Sequence, residues 1–278
     1  IDRNPRQLTA SQRSVLAYLG RLTESLLAEK RLRSVTDALQ RETEQDLELA
    51  RKVLGILTQA GKACERFQHA VLPARKFSGD LVTFAFSPGG QFHGLFADVT
   101  GHGLASALYQ IPAVDAFKTH VAMGCSTAQI ARAINARLNS LAVTGNFMAA
   151  HLFCHDARAN RLSLWNGGMP DAWLLNEFGE VCDVVRSSHV ALGVLPDAAF
   201  DASVSTIHES KAVQLLMISD GVLEAANTGN EEFGQDRAKA ILLNTPIEDR
   251  IEVLLAAVFA HQDCAPEHDD MSVALLNL

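Results

Sequence analysis

Four acidic sites recur along the chain, each a carboxylate beside a glycine or at the edge of an apolar run. They are Ser78-Gly79-Asp80, Ala97-Asp98-Val99, Ser219-Asp220-Gly221 and Asp269-Asp270-Met271. A strand end fixes the direction of a carboxylate, and a neighbouring glycine lets the backbone fold around whatever that carboxylate binds. The plainest case is Phe96-Ala97-Asp98-Val99-Thr100-Gly101-His102-Gly103, which reads as a buried strand, an acid, a tight turn and the start of an apolar helix. Asp98 is therefore expected to anchor a cation site to which the other acidic turns come. One aspartate at a strand end is ordinarily a turn former. Four in one domain point to a site, because crowded carboxylates repel unless cations lie between them. A donor set made only of oxygen selects magnesium or manganese over zinc. The basic residues Arg75 and Lys76, just before the first acidic turn, are candidates to meet a phosphate and otherwise exposed loop residues. His102 and His268 read as polar loop residues beside the acids.

The elements that must carry these residues follow from periodicity. From Ser11 to about Leu57 there is no proline, and apolar residues recur at three and four: Leu16, Leu19, Leu22, Leu26, then Leu32, Val35, Leu39, then Ala50, Val53, Leu57. This predicts a long amphipathic helix with Thr9 as its N-cap. Such a stripe either lies on its own domain or pairs with a second copy as a parallel coiled coil, and the second reading is favoured here. After Gly61 the pattern changes to short β-like runs, at Val82–Phe86, Gly94–Ala97, Met148–Cys154, Leu162–Trp165, Trp173–Asn176, Val181–Arg186, Val213–Ser219 and Met271–Leu276. Helical blocks are expected at about 104–122, 127–142, 235–243 and 247–261. Strands joined by turn signals such as Pro88-Gly89-Gly90, with helices in pairs, predict an α+β layered domain of antiparallel sheets covered by helices. No βαβ repeat or glycine-rich phosphate loop supports a doubly wound nucleotide fold.

Composition narrows the function classes. The chain has 278 residues, is 48% hydrophobic and carries a formal charge of −8. It can bury a large core, and no basic stretch is dense enough to track a nucleic-acid backbone. Its five cysteines are scattered without zinc-site spacing. Reduced thiols in a cytoplasmic domain are expected, with room left for an upstream membrane-attached sensor.

Taken in order, Ser78-Gly79-Asp80, Asp98-Val99-Thr100-Gly101-His102-Gly103, Ser219-Asp220-Gly221 with Glu224-Ala225, and Asp269-Asp270-Met271-Ser272 resemble the metal-dependent PPM (PP2C-type) serine/threonine phosphatases, in their bacterial SpoIIE/RsbU-like branch. Leu72-Pro73-Ala74-Arg75, Asn166-Gly167-Gly168-Met169-Pro170, Leu192-Gly193-Val194 and Glu231-Glu232-Phe233-Gly234 fall in matching order. The resemblance covers about residues 60–278. It departs at Ser78, where the branch has glycine, at Leu81-Val82-Thr83-Phe84, where a second acid is missing, and at Met169, where a histidine is usual. The N-terminal residues 1–14 resemble the end of a GAF-type sensor domain, with 15–58 as a linker helix and 59–278 as the phosphatase domain.

The resemblance implies an α-β-β-α sandwich of two antiparallel sheets with two Mn²⁺ or Mg²⁺ ions at one end. By position, Asp98 bridges both ions and the backbone carbonyl of Val99 ligates one. Asp220 and Asp269 add carboxylates, Asp80 holds the water shell or a weaker third ion, and Asp270 ligates or orients. Asp98 and Asp220 then act in catalysis through metal-activated water, a chemistry that needs no serine or cysteine nucleophile. The implied substrate is phosphoserine or phosphothreonine on a STAS-type antagonist protein of a partner-switching pathway, with a homodimer formed through the N-terminal helix. The rival readings are a catalytically weak adaptor on the same fold and a phosphoesterase for small molecules.

Overall fold

The computed structural model describes residues 7–58, 64–101, 103–141, 145–208, 212–263 and 269–278. The chain divides into two compact units, Ile1–Val53 and Leu54–Leu278. The first is formed by helix α1, which spans Ala10–Thr58 and continues into the second. Its start is capped as the sequence indicates. Gln12 N donates to Thr9 Oγ1 (3.3 Å) and Thr9 N donates to Gln12 Oε1 (3.0 Å), which satisfies two amides that a helix start leaves unpaired. The stripe residues Leu16, Leu19, Leu22, Leu26, Leu32, Val35 and Leu39 are all exposed. No helix among the described residues is long and apolar enough to cross a membrane.

The second unit is a sandwich. One sheet runs β2 (Asp80–Phe86), β3 (Phe92–Val99), β4 (Met148–Asp156), β5 (Arg161–Gly167), β8 (Ser205–His208). The other runs β1 (Phe67–Leu72), β10 (Met271–Asn277), β9 (Gln214–Ile218), β6 (Ala172–Leu175), β7 (Val181–Val185). Every named pairing is antiparallel. Helices α2 (Leu104–Ala122) and α3 (Thr127–Ser140) belong to one outer layer. The short α4 (Asp220–Leu223) joins α5 (Gln235–Leu242) and α6 (Arg250–Gln262) in the other.

Three apolar layers hold this together, and strand alternation decides which residue enters which layer. Val82, Phe84, Phe92, Phe96, Phe153, Leu162 and Leu164 meet Phe67, Leu174, Leu215, Met217, Ala274 and Leu276 between the sheets. The alternate neighbours Leu81, Leu95, Ala97, Val99, Met148, Ala150 and Leu152 face Ala113, Phe117, Ile130, Ile134 and Leu138 of α2 and α3. On the opposite outer face, Trp173, Leu175, Leu216, Ile218, Val273 and Leu275 pack with Val222, Ala238, Leu242, Leu254 and Val258.

Two strands escape the periodicity argument. β1 (Phe67-Gln68-His69-Ala70-Val71-Leu72) is an edge strand that pairs only with β10 among the described strands and is mostly half-exposed, so it shows no clean alternation. β8 is likewise a short, largely exposed edge.

Candidate metal centre

The alternation that builds the inter-sheet core continues past its end and delivers the acids. On β2, Val82 and Phe84 point between the sheets, and Asp80 shares their face. On β3, Phe92 and Phe96 do the same, and Asp98 follows at the same period. Asp80 and Asp98 are paired directly across the two strands. From the other sheet, Ala274 and Leu276 face inward on β10, which puts Ser272 and Asp270 on that face. Ser219 follows the end of β9; its Oγ accepts from Ser272 N at 2.8 Å, while Ser219 N donates to Ser272 O at 2.9 Å. Asp220 is the next residue and opens α4, its Oδ1 accepting from Gly221 N at 2.9 Å.

The sheets therefore bring Asp80, Asp98, Asp220, Asp269 and Asp270 to one end of the sandwich. Gly221 shows how closely the last two turns approach. A Cβ there would stand 2.0 Å from the Asp270 carbonyl oxygen and 3.4 Å from Asp269 Cβ. Only glycine fits between Asp220 and the acidic pair.

The electrostatics record the crowding. Burial pushes Asp98 up to about 7, and the charges of Asp220, Asp269 and Asp270 add to it. Asp80 is raised well above the ordinary carboxylate range, first by burial and further by Asp98 and Asp270. Asp220 is raised by burial and then by Asp269. Glu224 is raised by burial and by Asp220, Glu232 and Asp269, so it lies at the margin of the same field.

Asp270 differs from its neighbours. Its Oδ1 accepts from Ala74 N at 2.7 Å and its Oδ2 from Gly79 N at 2.6 Å. Both oxygens are thus engaged with the backbone of the first acidic turn. Asp269 is exposed, and its Oδ1 accepts from Asp270 N at 2.8 Å. Arg75 is exposed on the turn that Asp270 tethers, as is Lys76. His102 and His268 lie outside the described residues. Gln110 of α2 escaped motif reading, yet its side chain is buried and reaches the first acidic turn. Its one sequence signal is a polar residue in the apolar run Leu108-Tyr109-Gln110-Ile111-Pro112.

The donor set suits a hard divalent cation: carboxylate oxygens come from both sheets, those of Asp80, Asp98 and Asp220 are raised in affinity for protons, and Asp80 Oδ2 is buried without a hydrogen-bond partner among the described residues. Among the described residues no three His, Cys, Asp or Glu side chains close into a ligand cluster.

Two antiparallel sheets layered with helices on both outer faces define a PP2C-type domain by fold. The chain belongs to the stage II sporulation protein E (SpoIIE) family, whose sequence model matches residues 88–278. It is 23% identical over 248 residues to the phosphoserine phosphatase RsbP of Bacillus subtilis, which covers 85% of this chain and 58% of RsbP. Among solved structures, the SiaA-PP2C domain of Pseudomonas aeruginosa aligns with a TM-score of 0.73 at 18% identity, over 87% of this chain and 99% of that one. The PP2C phosphatase domain of Bacillus subtilis SpoIIE, with a fragment of its regulatory domain, gives 0.60 at 17% identity, over 76% and 62%. At these identities the structural likeness speaks for the fold.

Proposed function

We propose that the chain is a metal-dependent protein serine/threonine phosphatase that hydrolyses phosphoserine or phosphothreonine. The observation that carries this reading is the gathering of Asp80, Asp98, Asp220, Asp269 and Asp270 from both sheets at one end of the sandwich. Asp98, the Val99 carbonyl, Asp220 and Asp269 are assigned to two Mn²⁺ or Mg²⁺ ions, with Asp80 in the shell around them. Ions held there supply an acidified water and neutralise charge on the phosphoryl oxygens. Asp270 is assigned an orienting role, because both of its oxygens already hold backbone amides. Arg75, on the turn that Asp270 tethers, is assigned to the incoming phosphate. The named activity of RsbP supports phosphoserine as the substrate group. Family resemblance supports a STAS-type antagonist protein of a partner-switching pathway as its carrier.

The test is phosphate release from a phosphoserine peptide and from a phosphorylated STAS-type protein, with Mn²⁺ and with chelator. Mn²⁺-dependent turnover lost in Asp98→Ala and in Asp220→Ala is expected. A wild-type chain without such turnover leaves the adaptor reading standing. Equal turnover of small phosphate esters favours the small-molecule phosphoesterase. Gly221→Ala is expected to lower turnover about 100-fold, because a Cβ 2.0 Å from the Asp270 carbonyl must displace one acidic turn from the other. Retained turnover in that variant would show that the two turns move independently.

The exposed stripe of α1 supports pairing with a second copy in a parallel coiled coil. An upstream GAF-type sensor ending within residues 1–14 is the proposed source of the signal that this helix carries. Sedimentation of the full chain is expected to give twice the 30.0 kDa protomer mass. Leu22→Glu with Leu26→Glu is expected to return the monomer, and a wild-type monomer at micromolar concentration refutes the pairing.

A further inference from the structure

Helix α2 sends one polar side chain to the back of the acidic centre. Gln110 is 5% exposed. Its Nε2 donates to Ser78 O at 2.9 Å and to Gly79 O at 2.8 Å, with a longer approach of 3.4 Å to Asp80 O. These are three successive carbonyls of the turn that delivers Asp80 to its strand. Asp270 grips the same turn through Ala74 N and Gly79 N. Gly79 O also accepts from Val99 N at 3.1 Å. The Gly79 backbone is therefore fixed on both sides, its N–H by Asp270 and its carbonyl by Val99 N and Gln110 together.

The space on the remaining side is just as closed. A Cβ on Gly79 would stand 2.8 Å from the Val99 carbonyl oxygen, 3.0 Å from that of Gly101 and 3.3 Å from Asp98 Oδ1. The level at which this turn sits on β3 thus sets the spacing between Asp80, Asp98 and the Val99 carbonyl. Gln110 is the side chain that braces that level from α2. A primary amide suits the task, since it donates to several carbonyls without adding a charge beside five acids.

We propose that Gln110 is a positioning residue for the metal centre, holding the Ser78–Asp80 backbone at the height where Asp80, Asp98 and the Val99 carbonyl serve one site. The proposal rests on the metal-dependent reading of that site. Residues that hold ligands in place act on metal affinity more than on the integrity of the fold, and their loss commonly weakens binding about 10–100-fold.

The experiment is calorimetric titration of the full chain with Mn²⁺ alone, for wild type, Gln110→Met and Gln110→Glu. Methionine keeps the length and volume without a donor, and glutamate keeps the shape while turning an acceptor toward three carbonyls. Both variants are expected to raise the Mn²⁺ Kd about 10-fold or more. Amide exchange at Gly79 and Val99 should accelerate in the same proteins, a reading that needs no metal. Thermal melts separate this from general loosening, which lowers Tm while leaving the Kd of the folded protein unchanged. Wild-type affinity in Gln110→Met, with unchanged exchange at Gly79, overturns the role of Gln110 alone. A wild-type chain that binds no Mn²⁺ at millimolar concentration overturns the metal reading and this proposal with it.

Discussion

Asp98→Asn is expected to stabilise the metal-free protein at neutral pH while removing its hydrolytic activity. The physical cause is that Asp98 sits near 7 in the folded chain, against an ordinary carboxylate value of 3.8, through burial and the charges of Asp220, Asp269 and Asp270. Between those two values the folded state binds more protons than the unfolded state, so stability falls as pH rises through that window. A displacement of this size corresponds to roughly 4 kcal/mol lost by pH 8. Asp80 and Asp220 are shifted in the same direction and steepen the profile. Asparagine carries no charge at any pH and removes most of the Asp98 contribution. It also removes the shared carboxylate of the proposed centre, and turnover is expected to fall about 1,000-fold.

Urea unfolding from pH 5 to pH 8, with chelator and with excess Mn²⁺, reads this directly. In chelator the wild type should weaken steadily toward pH 8, and Asp98→Asn should weaken less. Mn²⁺ should restore the wild type most strongly at the alkaline end, where the acids are ionised, since a ligand that binds only the folded state stabilises it by mass action. A flat wild-type profile, or a variant less stable than wild type at pH 7.5 in chelator, would refute the account.

Arg250→Ala is expected to be the most damaging single truncation away from the acidic centre. Arg250 opens α6 and is fully buried. Its Nε donates to Thr245 O at 3.3 Å, its Nη2 to Asn176 O at 2.9 Å and Glu177 O at 2.8 Å, and its Nη1 to Gln214 Oε1. One guanidinium thereby joins the start of α6, the turn after β6 and the first residue of β9. Alanine leaves buried carbonyls without this donor and opens a void, at a cost of about 4 kcal/mol. For a unit of this size that is roughly 10 °C in Tm. Arg250→Lys is expected to recover little, because an ammonium cannot span the same acceptors as a planar fork. A melt of Arg250→Ala within about 2 °C of wild type would show that water replaces the guanidinium.

Much of this protein was legible locally. The helix over Ala10–Thr58 follows from its leucine stripe and the Thr9 cap, and α2 begins at Leu104 as its apolar run indicates. Strands such as β2, β3 and β9 announce themselves through apolar runs with an acid at or just beyond one end. Residue type is equally local: one aspartate beside a glycine at a strand tip reads as a turn former, and four such sites in one domain raise the expectation of a hard-cation site. The edge strands β1 and β8 were not legible, because half-exposed strands lack a buried face to impose alternation.

Tertiary structure alone decided which acids meet and what each of them contacts. Asp269 and Asp270 are adjacent in sequence and identical in type. Only the approach of residues 74–79, nearly two hundred positions away in the chain, turns Asp270 toward two backbone amides and leaves Asp269 exposed beside Asp220. Gln110 shows the same limit, since a glutamine in an apolar helix has no marker until the carbonyls of Ser78 and Gly79 lie within reach of its amide. Periodicity and residue chemistry are properties of neighbours along the chain. The partner of a buried polar group is fixed by the packing of distant segments, and that packing separates an acid held by backbone amides, Asp270, from its exposed neighbour Asp269.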